Sequence, residues 1–190
     1  RKNSGPLRQR KEASDVTSRL GQWALHGLFL CIVMISMMFA PLGATAAPYA
    51  AMVMDARTGE VLHSRNADTR LHPASLTKMM TLYVAFQAIE RGEITLDTRV
   101  TISRNAASEP PSKLGLRSGQ TIPLRFLRRA AAVKSANDAA TAIGEAISGS
   151  EEAFATRMNR TARAMGMNDT TFRNAHGLTQ SGHLSTARDM

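Results

Sequence analysis

Residues 73–90 open with a proline and continue as Ala74-Ser75-Leu76-Thr77-Lys78-Met79-Met80, an apolar run at helical spacing that closes at Arg91-Gly92-Glu93. Proline is at home in a first helical turn, where its missing N–H is not needed. The run therefore predicts a helix over residues 74–90, with Leu76, Met79, Met80, Tyr83, Val84 and Ile89 on or near one side. An apolar helix has to be covered, which constrains the fold. The same segment constrains the chemistry, because a hydroxyl and an amine stand three residues apart in its first turn, a spacing that puts Cβ atoms roughly 5–6 Å apart on one face. A lysine that has lost its proton can accept one from serine and so make a nucleophile without histidine. Ser75 is the candidate nucleophile and Lys78 the candidate general base. The plainer readings are a serine that caps the helix and a lysine on an exposed face. The neighbours Met79, Met80 and Leu82 favour a buried helix. To be neutral near pH 7 the amine has to titrate well below its ordinary value of about 10.4, through burial or a nearby cation.

Downstream lies Lys134-Ser135-Ala136-Asn137-Asp138. Ser-x-x-Lys followed by Ser-x-Asn and then Lys-Thr-Gly is a set in which each part has a mechanical role in acyl-enzyme chemistry. Two of the three parts occur here, in the right order. The third does not, since the only Lys-x-Gly, Lys113-Leu114-Gly115, precedes Ser135. Ser135 and Asn137 join the candidate site, the alternative being that both cap the helix beginning at Asn137. A second Ser-x-Asn, Ser103-Arg104-Asn105, is set aside because it lies in a polar, proline-rich stretch rather than at the head of a helix.

The chain begins at Arg1 and stops at Met190 within a segment that looks set to continue, which predicts a fragment of a longer protein. Residues 1–22 carry six basic and two acidic residues, Trp23 to Ala40 carry no formal charge, and Ala44-Thr45-Ala46 is a small-residue triplet. That order reads as a basic tail and secretory signal peptide over residues 1–47. The rival is an uncleaved membrane anchor, as 18 apolar residues just reach spanning length. His26, Gly27 and the triplet favour cleavage. The expected location is outside the cytoplasmic membrane or in a periplasm. Residues 47–190 hold 18 basic and 13 acidic residues. The plain reading is a mildly basic surface, and the functional one is attraction to an anionic envelope. No aromatic interleaving of the kind that stacks bases is present, so nucleic acid is not an expected partner. The single cysteine, Cys31, lies in the uncharged stretch, which leaves the rest of the chain without a thiol nucleophile, thiolate metal site or internal disulfide.

Past the leader, Tyr49–Asp55 and Glu60–Ser64 predict strands joined by the Ala56-Arg57-Thr58-Gly59 turn. Residues 95–121 read mainly as loop and short turns. Helices are expected over residues 123–134, 137–147 and 151–165, the last with Glu151 and Glu152 at its positive end. A hairpin alone is a poor sheet, so further strands are expected from sequence beyond Met190.

The order of these motifs resembles the D-alanyl-D-alanine carboxypeptidases, the low-molecular-mass penicillin-binding proteins of bacteria. The likeness rests on the opening at 51–59, Pro73-Ala74-Ser75-Leu76-Thr77-Lys78-Met79-Met80, Ser135-Ala136-Asn137-Asp138-Ala139, Met158-Asn159 with Gly166-Met167 and Thr171-Phe172, and His176-Gly177-Leu178 with residues 185–190. The resemblance implies an α+β fold of the β-lactamase and penicillin-binding-protein type, an antiparallel sheet flanked by helices with a helical lobe beside it. Residues 48–190 would be the N-terminal part of that domain, lacking its C-terminal strands.

The implied activity is a serine-type carboxypeptidase that removes the terminal D-alanine from peptidoglycan stem pentapeptides through an acyl-enzyme on Ser75. Alternatives are a DD-endopeptidase of the same family and an inactive peptidoglycan-binding envelope protein. By the resemblance Ser135 relays a proton to the leaving amine, and Asn137 binds the substrate amide and holds Lys78 in line. The backbone N–H of Ser75 would be one oxyanion donor. The second donor and the carboxylate-binding group fall to the absent Lys-Thr-Gly strand, so the fragment alone is expected to be a poor catalyst. Partners would be the stem peptide and, as covalent inhibitors, β-lactams; membrane association would come from an uncleaved leader or a further C-terminal anchor. No cofactor is implied.

A Ser75/His176/Asp189 triad is a weaker arrangement, since Gly-x-Ser-x-Gly is missing around Ser75. His63, His72, His176 and His183 form no helical ligand pair, so no metal is expected. Efficient lactam hydrolysis would need a deacylating glutamate, and no Glu follows Glu152 or has an Asn four residues on.

Overall fold

The computed structural model describes residues 48–190, together with Trp23, residues 27–31 and Met34. The leader reading for residues 1–47 therefore lies almost wholly outside the described residues. Residues 1–47 and 48–190 are separate units, and the site belongs to the second. Among the described residues no helix is long and apolar enough to cross a membrane.

The first hairpin forms as expected, β1 (Ala51–Met54) pairing antiparallel with β2 (Val61–Arg65). Its turn is set by Asp55, whose carboxylate accepts from the N–H of Arg57 and of Thr58. A 3₁₀ turn at Ala74–Leu76 leads into α1 (Thr77–Glu90). Residues 95–121, expected as loop, contain more structure than that. β3 (Arg99–Thr101) pairs with β4 (Thr121–Pro123), and α2 (Arg104–Ser108) lies between them. Ser103 caps α2, its side chain accepting from the N–H of Ala106. The second Ser-x-Asn does open a helix, contrary to the sequence expectation; what keeps it from the site is that Asn105 bonds Glu145 instead. These elements are three to five residues long, too short for periodicity to reveal.

Three helices follow as α3 (Leu124–Val133), α4 (Asn137–Ser148) and α5 (Glu151–Ala164). α4 is central and packs on α1, α2, α3 and α5. Its alanines allow this crowding: Ala139, Ala140 and Ala142 are buried, and a Cβ on Gly144 would sit 2.8 Å from Phe154 Cδ1. One apolar cluster gathers Ile102, Leu124, Leu127 and Ile143 on one side of α4. Another gathers Met80, Val84, Phe154, Met158 and Phe172 on the other.

The buried face of α1 differs from the expected one. Thr77, Lys78, Met80, Thr81, Val84, Ala85 and Ala88 point inward, while Leu76, Met79, Tyr83 and Phe86 form an exposed apolar stripe. Most of the inward residues are small or polar. They face inward here because they meet alanine-rich α4 and the carbonyls of the 170–190 segment. That segment is irregular but fastened, with isolated bridges Leu71–Ser185 and Thr171–Leu184.

Candidate active site

Ser75 lies in the 3₁₀ turn, exposed, directly ahead of α1. The turn is held in an unusual shape. Ala74 has φ +48°, in the left-handed region that costs an ordinary residue about a kcal/mol or more. The reason is next to it: the backbone of Gly177 presses so close that a Cβ there would lie 1.8 Å from the Ala74 carbonyl oxygen. Only glycine tolerates both that approach and its own φ of +89°. Residues 176–178 thus wedge the turn that carries Ser75.

Lys78, one turn on, is 3% exposed. Its ammonium donates to Asn137 Oδ1 at 2.8 Å and to the His176 carbonyl at 2.7 Å. Burial pushes its pKa down to about 8, against a nearby Glu109 charge that acts to raise it. Asn137 completes its own bonding by donating from Nδ2 to the Pro110 carbonyl at 2.9 Å. The helix it begins is capped at Ala136 with no side-chain bond, so neither Ser135 nor Asn137 does the capping that was the alternative reading for them. Ser135 is half-buried with φ +56°, on the strained turn that enters α4. The structure thus joins Lys78 to Asn137 directly. Among the described residues the side chains of Ser75 and Ser135 make no hydrogen bond.

Several residues here were missed by sequence reasoning. Asp138, fully buried, accepts from the N–H groups of Leu114, Gly115, Leu116 and Ala139, and so pins the 110–116 loop beside Asn137. Thr81 donates to the Ala175 carbonyl and fixes the strip that carries His176. His183 accepts from Arg173 N–H at Nδ1, so Nε2–H faces Thr77 Oγ1 at 2.8 Å. Their only sequence signal was position, next to a motif or within the 176–190 block.

His176 does not approach Asp189, which accepts from Thr170, so no Ser75/His176/Asp189 triad forms. Its Nε2 lies 3.4 Å from Glu109 Oε1 and 3.4 Å from Glu151 Oε1. One ligand atom from each of the three residues falls within 4.8 Å of the others, a spacing that would suit a metal ion. The chemistry of the ring speaks otherwise. Its Nδ1 accepts from Leu178 N–H at 3.0 Å, so the ring's proton sits on Nε2 and no lone pair faces the carboxylates. The ring is neutral, and burial, helped by the Lys78 charge, lowers its pKa to about 4. Burial raises both carboxyls, Glu109 and Glu151, above their usual range.

The chain is similar to known proteins in sequence and in fold. The family model described as D-alanyl-D-alanine carboxypeptidase matches residues 38–190. The D-alanyl-D-alanine carboxypeptidase DacF of Bacillus subtilis (strain 168) is 40% identical over 140 residues, covering 74% of this chain and 36% of that protein. Among solved structures, the D-alanyl-D-alanine carboxypeptidase DacD from Francisella tularensis superposes with a TM-score of 0.72 at 40% identity, over 80% of this chain and 37% of that one. Penicillin-binding protein D2 from Listeria monocytogenes, in its ampicillin-bound form, gives 0.64 at 33% identity, over 76% of this chain and 60% of that one. The chain belongs to the D-alanyl-D-alanine carboxypeptidase family, and its fold is the α+β fold of the penicillin-binding proteins. It spans about a third of the length of the curated relatives it matches.

Proposed function

We propose that the protein of which these residues are part is a serine-type D-Ala-D-Ala carboxypeptidase acting on peptidoglycan stem pentapeptides. The observation that carries the reading is Lys78: a buried amine, drawn down toward neutrality and held by Asn137 and His176, one helical turn from an exposed serine. In the proposed step the Ser75 hydroxyl gives its proton to Lys78 as its oxygen bonds the penultimate D-alanine carbonyl carbon. The peptide C–N bond then breaks, the leaving D-alanine amine takes a proton relayed through Ser135, and water hydrolyses the ester. Asn137 holds the substrate amide as well as Lys78. The half-buried position of Ser135 on a strained turn supports a role beyond packing.

On this reading residues 1–47 direct export, and residues 48–190 are the N-terminal part of a larger domain. The exposed stripe of Leu76, Met79, Tyr83 and Phe86 supports the second point, as an apolar face of that size needs cover. The protein would then work at the outer face of the bacterial membrane or in the periplasm, with β-lactams as covalent inhibitors.

The experiment is labelled-penicillin capture by the full-length gene product. Capture lost in Ser75→Ala supports the acyl-enzyme. No capture by the wild type leaves a wall-binding protein that does not cut. Release of D-alanine from a pentapeptide, set against cleavage of cross-linked dimers, separates carboxypeptidase from endopeptidase.

A further inference from the structure

A buried ammonium is costly unless a counter-charge accompanies it. Lys78 is almost wholly buried, and both of its hydrogen-bond partners, the Asn137 amide oxygen and the His176 carbonyl, are neutral. The negative charge must come from elsewhere. Glu109 stands behind His176, its Oε1 3.4 Å from the ring nitrogen of the residue whose carbonyl Lys78 binds. The next residue, Pro110, is tied to the same station, because its carbonyl accepts from Asn137 Nδ2. Thr141 donates to Glu109 Oε1 at 2.9 Å and fixes the carboxylate on α4.

We propose that Glu109 is a positioning residue for the reaction: it supplies the counter-charge of Lys78, acting across His176, and so sets the pH at which the amine becomes a free base. This rests on the reading of Lys78 as the base. The direction of the effect follows from charge. An ionised Glu109 favours the protonated amine, opposing the burial that disfavours it. Besides the His176 ring, the ionisable groups around Glu109 are acids: Glu151 from the head of α5, and Glu145 and Asp138 from α4. They delay its ionisation but do not replace it as the charge that reaches Lys78. Next to the carboxylate, the His176 ring is neutral, held so by Leu178 N–H, and passes on no positive charge of its own. His183, which also acts on His176, keeps its proton on the nitrogen facing Thr77.

The test is direct titration of Lys78 in the full-length gene product, with ¹³C at the lysine ε-carbons and the resonance assigned by Lys78→Arg. In Glu109→Gln, which keeps an acceptor for Thr141 and for the His176 ring but removes the charge, the midpoint falls by about one pH unit, the low end of what a neighbouring charge does. Glu109→Asp restores it. Glu151→Gln does not lower it. Penicillin acylation of Glu109→Gln near pH 6 rises roughly three- to tenfold over wild type, the smaller figure allowing for a weaker base. In the wild type the Lys78 resonance also shows a small second step where Glu109 ionises, a readout that needs no variant. A wild-type curve with no such step, an unmoved midpoint in Glu109→Gln, or an equal fall in Glu151→Gln overturns the proposal. The titration reads Lys78 whether or not penicillin is captured, so a failure of the proposed activity and a failure of this assignment are told apart.

Discussion

The Lys78 ammonium and Asn137 Oδ1 meet at 2.8 Å across 59 residues of sequence, joining the first turn of α1 to the first turn of α4. Removing the amide leaves the ammonium with one neutral acceptor and unpairs the Pro110 carbonyl. A hydrogen bond to a charged group is worth about 1.5–3 kcal/mol, so Asn137→Ala should slow penicillin acylation by roughly ten- to a hundredfold. Lys78→Ala, which removes the proposed base, should cost about 10²- to 10⁴-fold. In the wild type, acylation should climb with pH through about 8, because the free base accumulates there. Stopped-flow acylation across pH 6–10 checks all three, and a profile flat through pH 8 would remove Lys78 from the role of base.

Gly177 gives a test of the turn that carries Ser75, the proposed nucleophile. A Cβ at this position would meet the Ala74 carbonyl oxygen at 1.8 Å and Thr77 Oγ1 at 2.9 Å. Backbone has to move, and the backbone that moves carries Ser75. Gly177→Ala should lower acylation by more than tenfold, and the strained φ and the contact together should cost about 2 kcal/mol or more of stability. Urea denaturation beside the acylation rate separates the two effects. A variant that acylates at the wild-type rate would show that the 176–178 wedge does not shape the turn.

How much of this was legible in the sequence follows from the range of each signal. The long helices were readable because apolar spacing and prolines are local. Asn137 was readable as a candidate because it lies in a short motif with Ser135. The burial of Lys78 was expected from its apolar neighbours, but Thr77 and Thr81 were not among the residues expected on the packed side of α1, since they are buried through partners about 90 to 110 residues away. Glu109 lies ahead of two prolines in a stretch expected mainly as loop, and Glu151 sits at the positive end of its helix. Both descriptions are locally correct. Only the fold reveals that they converge on His176.

Asp138 is where the loop beside the site is held. Its carboxylate accepts from Leu114, Gly115 and Leu116 in the loop and from Ala139 in its own helix, with no exposure to water. Asp138→Ala leaves these buried donors without an acceptor, at about 1–3 kcal/mol for each group left unsatisfied. Water entering the gap offsets part of this, so a loss of about 3 kcal/mol is expected. Hydrogen exchange should locate it: the amides of 114–116 should lose protection before those of α5. Uniform loss of protection would instead mark Asp138 as a general core residue.

The acid side of stability belongs to the buried histidines. His176 and His183 each titrate near 4 in the folded protein against an ordinary 6.5, lowered first by burial. Between those values the unfolded chain binds more protons than the folded one, so stability is complete above about pH 6.5 and drains away as pH falls toward 4. Glu109 and Glu151 run the other way. Their raised carboxyls take up protons in the folded state first, which softens the loss on acidification. Urea midpoints should therefore decline from pH 7 to pH 4.5, and the decline should be shallower in His183→Gln, which keeps a donor for Thr77 but cannot be charged. In Glu109→Gln, which removes one of the compensating carboxyls, the decline should be steeper. Equal slopes in all three proteins would show that neither group governs the acid transition.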